Sequence, residues 1–177
     1  MTIRDYQQHS PEIGNNVYID PDACVIGDVI IGADSSVWPM TVIRGDVNSI
    51  RIGERCNIQD NSVLHVTHDG PYVPGGFGLS LANDITIGHR VILHGCSIHN
   101  FCLIGMGATV MDGAVVESDV IVGAGSLVTP NKQLKSGFLY TGCPVRQIRA
   151  LTTDEIDSLR YSSEHYVRLK NTYLNKG

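Results

Sequence analysis

Aliphatic residues recur at every sixth position along most of this chain. Ile13, Ile19, Val25, Ile31, Val37 and Ile43 open the series, followed by Ile52, Ile58 and Leu64, then by Ile87 and Leu93. A last run holds Ile98, Ile104, Val110, Val116, Val122, Val128 and Leu134. A fixed period of six is the mark of a β-solenoid built from hexapeptides. Glycine follows the aliphatic residue at Gly14, Gly32, Gly53, Gly88, Gly105 and Gly123, and the steps Gly14 to Gly32 and Gly105 to Gly123 are each 18 residues. Three hexads per coil predict a triangular prism. Its aliphatic side chains point inward and stack ~4.8 Å apart along the axis.

The ruler slips in three places. It gains three residues between Ile43 and Ile52 and loses one between Leu93 and Ile98. Between Gly53 and Gly88 about 17 residues exceed one coil. The excess, 66–84, contains Asp69-Gly70-Pro71 and Pro74-Gly75-Gly76-Phe77-Gly78 and reads as an excursion loop. The pattern stops after Leu134, and Gly142-Cys143-Pro144-Val145 reads as a turn out of the prism. Thr152 and Glu155 have the spacing of a capping box, and apolar residues from Ile156 to Leu174 follow at helical intervals. The expected organisation is an all-β solenoid over 1–150, with the excursion at 66–84, and an amphipathic helix over 151–177. The helix should pack along the prism or on a neighbour, because a lone helix of that length is marginal in water.

Composition narrows the function. The chain has 177 residues, enough for one domain, with 42% hydrophobic and 18% charged residues, which excludes a disordered chain. No run approaches the ~20 apolar residues of a membrane span. A net charge of −5 argues against nucleic acid or an acidic membrane as partner. The first residues are polar, with Asp5 and Glu12, and do not read as a secretory signal. Five cysteines, an odd number with no CxxC pair, read as reduced thiols in the cytoplasm.

Seven histidines stand at positions 9, 65, 68, 89, 94, 99 and 165. His65 follows Leu64 and His94 follows Leu93, so both point outward; His89 sits near a corner. A single outward imidazole is most often a solvated surface residue, and His9, His99 and His165 are assigned to the surface. Three beside an insertion point instead to metal, since imidazole is a preferred zinc ligand. His89 and His94 belong to successive hexads, so their side chains should diverge. They suit one ion only if two chains share it, which leads to a cyclic trimer with three equivalent sites. Arg44 to His65 is 21 residues, one coil plus the three-residue slip, so the two should stack. Asp46, Gln59 and Asp60 lie near the same level. Two readings of these polar residues stay open. They form coil-edge hydrogen bonds and a surface ion pair, or they hold a subunit contact and a metal-bound water.

Taken together, these residues resemble the gamma-class carbonic anhydrase family of the hexapeptide-repeat superfamily. The resemblance runs from Ile13 to the C-terminal helix. It is carried by Val42-Ile43-Arg44-Gly45-Asp46, Asn57-Ile58-Gln59-Asp60 with Val63-Leu64-His65, Gly88-His89 with Leu93-His94-Gly95, and Ile104-Gly105-Met106-Gly107. It implies a left-handed β-helix and a homotrimer with a metal at each interface. His65 and His94 would come from one subunit and His89 from the next. Arg44, Asp46 and Asp60 resemble the family's interfacial ion-pair set, Gln59 its water-orienting residue, and Tyr166 its helix-borne site residue. The implied activity is reversible hydration of CO2 to bicarbonate by a metal-bound hydroxide. The implied ion is Zn2+, with Fe2+ and Co2+ also accepting imidazole. Characterised members carry acidic proton shuttles where this chain has Val47 and His68, which leaves two readings open: His68 carries the protons, or it is a bystander and turnover is slow or absent. The alternatives are a non-catalytic trimeric metal-binding or assembly protein, and a hexapeptide acyltransferase using a histidine base.

Overall fold

The computed structural model describes residues 3–175. They form a left-handed parallel β-solenoid of about eight coils, followed by one helix, Thr153–Leu174. Each coil has three short sides, and the sixth-position aliphatics fill the prism in three columns. One column is Ile19, Val37, Ile58, Ile87, Ile104 and Val122, in parallel register. A second is Val25, Ile43, Leu64, Leu93, Val110 and Val128. The third is Ile13, Ile31, Ile52, Leu81, Ile98, Val116 and Leu134. Nearly all are shielded from solvent, and only Ile13 and Ile19, at one end of the prism, are partly buried. Burial of one such side chain contributes roughly 1.5–3 kcal/mol, which offsets the ordering of strands that are mostly only two residues long.

The corners form columns too. Asn16, Asp34, Arg55, Asp84, Phe101 and Asp119 all adopt positive φ along one edge of the prism, and Met40, Asn61 and Arg90 do so along another. A tight left-handed corner needs one such residue per coil, and Asn and Asp accept that conformation most cheaply among non-glycine residues.

The helix runs along the first of these edges. Lys170 Nζ meets Asp34 at 3.0 Å, Ser163 Oγ donates to Asp84 at 3.3 Å, and Arg160 pairs with Asp119 at 3.1 Å. The spacings match. Seven helical residues from Ser163 to Lys170 rise ~10.5 Å, and two coils from Asp34 to Asp84 advance ~9.6 Å. Tyr166 and Tyr173 pack edge-on against Trp38. The capping box forms as expected, with Thr152 Oγ1 accepting from Glu155 N–H and Glu155 accepting from Thr152 N–H. Among the described residues no helix is long and apolar enough to cross a membrane.

Two sequence expectations change. The excursion expected over 66–84 closes earlier, because Leu79–Leu81 is a strand in register with Ile50–Ile52 and Ser97–Ile98. The loop proper is 66–78. Its length hid the return of the hexad phase at Leu81. The ruler also runs one step past Leu134, to Tyr140, whose buried ring takes an aliphatic position. The chain then turns back at Gly142 into the antiparallel strand Val145–Ala150. Arg146 and Arg149 on that strand charge the sheet edge.

Candidate metal centre

His65 and His94 end the strands Val63–His65 and Ile92–His94, which pair in register one coil apart. Their rings lie 5.1 Å apart, and His65 Nδ1 faces His94 Nε2 at 3.1 Å. The outward nitrogens are both taken by carboxylates. His65 Nε2 lies 3.0 Å from Asp46 Oδ1, and His94 Nδ1 lies 2.6 Å from Asp112 Oδ1. An ionised carboxylate only accepts, so each imidazole gives its single N–H outward. Both facing nitrogens are then bare lone pairs. Two lone pairs held together are relieved by a cation between them, a metal ion or a proton. Their spacing suits two corners of a zinc tetrahedron, whose edge is ~3.3 Å for nitrogen ligands. Burial, with Arg44 adding and Asp46 opposing, lowers the His65 pKa and so disfavours a proton on that ring.

Asp46 owes its place to the three-residue slip. Gly27 pairs with Gly45 and Val29 with Ile50, so Asp46–Ser49 bulge opposite the single Asp28. The bulge turns the Asp46 carboxylate onto His65, with Arg44 bound to its other oxygen. Burial pushes Asp46 up, but the bonds from His65 and Arg44 outweigh it and hold the carboxyl below its usual range. The stacking expected of Arg44 and His65 follows from the register of Ile43 with Leu64.

His89 stands apart, at the corner before Arg90, where the face carrying His94 begins. Its Nδ1 lies 2.8 Å from Asp60 Oδ2, and its side chain is 46% exposed. The third imidazole is thus also oriented by a carboxylate, with Nε2 left to point away. Gln59 is buried and lines, with His89, Leu103, Met106 and Ile121, a cleft of about 360 Å³. Burial and the neighbouring Asp60 raise the Tyr166 phenol above its usual pKa. Among the described residues no group of three or more histidine, cysteine or acidic side chains is arranged to hold a metal ion within one chain. Asp46, His65, His94 and Asp112 cluster at one edge, and His89 with Asp60 and Gln59 at another, with Tyr166 near Asp60. Within the chain Arg44 pairs with Asp46, while Asp60 serves His89. His68 is exposed on the excursion among Gly70, Pro71, Tyr72 and Val73, with no hydrogen bond to the three histidines.

Asp112 was not singled out in the sequence. The signal was there: it follows His94 by 18 residues, one coil, and stacking places it directly beside that ring.

The fold defines a hexapeptide-repeat protein, and three of its outward imidazoles are held by carboxylates. The model of the family described as bacterial transferase hexapeptide (six repeats) matches residues 10–45 and 95–130. Protein YrdA of Escherichia coli K12 is 53% identical over 175 residues, covering 99% of this chain and 95% of that one. Gamma carbonic anhydrase 2, mitochondrial, of Arabidopsis thaliana is 39% identical over 99% of this chain and 63% of its own length. A solved hexapeptide transferase family protein of Anaplasma phagocytophilum superposes with a TM-score of 0.90 at 41% identity, covering 97% of this chain and 98% of that one. The chain belongs to the gamma carbonic anhydrase-like family of hexapeptide-repeat proteins.

Proposed function

We propose that this chain forms a cytoplasmic homotrimer that interconverts CO2 and bicarbonate at a metal held between protomers. His65 and His94 of one protomer and His89 of the partner subunit would hold the ion, Zn2+ or, with the same ligands, Fe2+ or Co2+. The observation that carries this reading is the pair of bare nitrogens facing each other at 3.1 Å. A bound divalent cation supplies a Lewis acid that makes water a nucleophile near neutral pH.

The chain's own residues do the rest. Asp46 and Asp112 fix two rings with their free nitrogens toward each other, and Asp60 holds His89 with its Nε2 free for the ion of the neighbouring protomer. Gln59, beside His89, and Tyr166, near Asp60, orient the attacking water and the CO2. The apolar cleft next to His89 admits an uncharged gas more readily than an ion. His68, exposed on its loop, exchanges protons with buffer. Exposed Val63 and Ile92, on the face between the two clusters, support packing against another copy, as do Met40 and Met106. Arg44 and Asp46 lie at the edge such a contact would cover. Five free cysteines fit a reducing compartment.

Stopped-flow CO2 hydration tests the reading, with elemental analysis and solution mass on the same sample. A trimer with one metal per chain, active until chelated and inactive as His89→Ala, is the expected outcome. A metal-loaded trimer without hydration at any pH makes this a binding or assembly protein. Chelator-insensitive turnover of an acyl-CoA makes it a transferase.

A further inference from the structure

The repeat is interrupted by extra residues twice, at the bulge Asp46–Ser49 and at the excursion 66–78, and the two interruptions are bonded to each other. Asn48, in the bulge, donates from Nδ2 to Thr67 O at 3.1 Å and to Gly75 O at 3.2 Å, clamping both limbs of the loop. Thr67 and Phe77 exchange backbone hydrogen bonds of 2.9 and 3.1 Å at the base of the loop. From that clamped base Thr67 Oγ1 donates to Asp112 Oδ2 at 2.9 Å. The other oxygen of Asp112 receives His94 Nδ1. A carboxylate with one partner can swing about its Cβ–Cγ bond; one with a partner on each oxygen cannot.

We propose that Thr67 is a positioning residue: through Asp112 it locks His94 with its N–H outward and its bare nitrogen toward His65. This rests on the metal-centre reading above. It gives the excursion a role beyond a surface insertion, because the loop base sets one ligand while the bulge tied to it sets the other. His94 without this lock samples both tautomers, and in one of them it presents an N–H to the ion.

The test compares Thr67→Val, which keeps the shape and removes the hydroxyl, with Thr67→Ser, which restores it. Side-chain 15N spectra of the metal-free protein read the His94 tautomer directly. The wild type and Thr67→Ser should show a single form protonated at Nδ1, and Thr67→Val a mixture. Zinc affinity by chelator competition should fall ~10–100-fold in Thr67→Val and recover in Thr67→Ser. Asn48→Ala, which frees the loop but leaves the hydroxyl, should move both readouts in the same direction, and it decides the matter if Thr67→Val melts early. Unchanged nitrogen shifts with unchanged zinc affinity would overturn the proposal. A wild type that takes up no zinc sinks the metal reading instead, and the nitrogen shifts alone then judge the role of Thr67.

Discussion

Lys170 of the helix and Asp34 of a left-handed corner meet at 3.0 Å, although the Lys170 side chain is wholly shielded from solvent. A shielded ammonium without a counter-charge is costly. Asp34→Ala should destabilise the protein by an amount at the lower end of ~3–5 kcal/mol, because Asp34 itself is partly exposed. Lys170→Met, which removes the charge and keeps the stem, should cost less. Urea unfolding of both variants checks the order, with the midpoint moving and the slope unchanged. Equal midpoints would mean that the pair does not anchor the helix.

Acid should release the helix late. Burial pushes Asp34 up, but bonds from Lys170 and Asn16 outweigh it and leave its pKa lowered. The bond from Arg149 takes Glu155, in the capping box, down to about 2. Both folded pKa values lie below the unfolded ones. Their stabilisation is therefore present above pH ~4 and lost as pH falls through the folded values. Helical circular dichroism should hold from pH 5 to 4 and decline only towards pH 2. Arg149→Gln should move the onset of that loss to higher pH.

Gly95 adopts φ +54°, and a methyl group on it would collide with Asp112 Oδ1. Gly95→Ala should displace that carboxylate from His94 and cost more than ~1 kcal/mol of stability through its backbone. Metal affinity should drop while the solenoid signal in circular dichroism persists. Zinc titration of the refolded variant measures it; wild-type affinity would show that His94 needs no carboxylate.

His89→Ala chains keep the His65–His94 pair, and His94→Ala chains keep His89. In trimers reassembled from equal amounts, about one interface in four combines the two intact halves. Bound zinc should return to about a quarter of the wild-type level, against none for either variant alone. Mixed trimers verified by mass that bind no zinc would exclude a shared site.

Much of the prism was legible because burial repeats with the chain. Each sixth-position aliphatic from Val25 onward is in the core, since a solenoid side faces inward at a fixed interval. The ruler failed where that interval was disguised. Leu81 re-entered phase after an excursion, and Tyr140 took an inward position with an aromatic ring. His65 and His94 were visible as residues following an inward leucine. Their carboxylates were less so. Asp112 lay one coil beyond His94, and Thr67 lay in a loop whose path no period describes.

What this amino-acid order settled alone was the number of sides, the contents of the core and the outward direction of His65 and His94. These are local, periodic properties, and one coil determines the next. Only the tertiary structure decided which oxygen each imidazole meets, how the bulge and the excursion are tied through Asn48, and along which edge the helix lies. Those contacts join residues from different coils and from outside the repeat, where distance along the chain says nothing about distance in space.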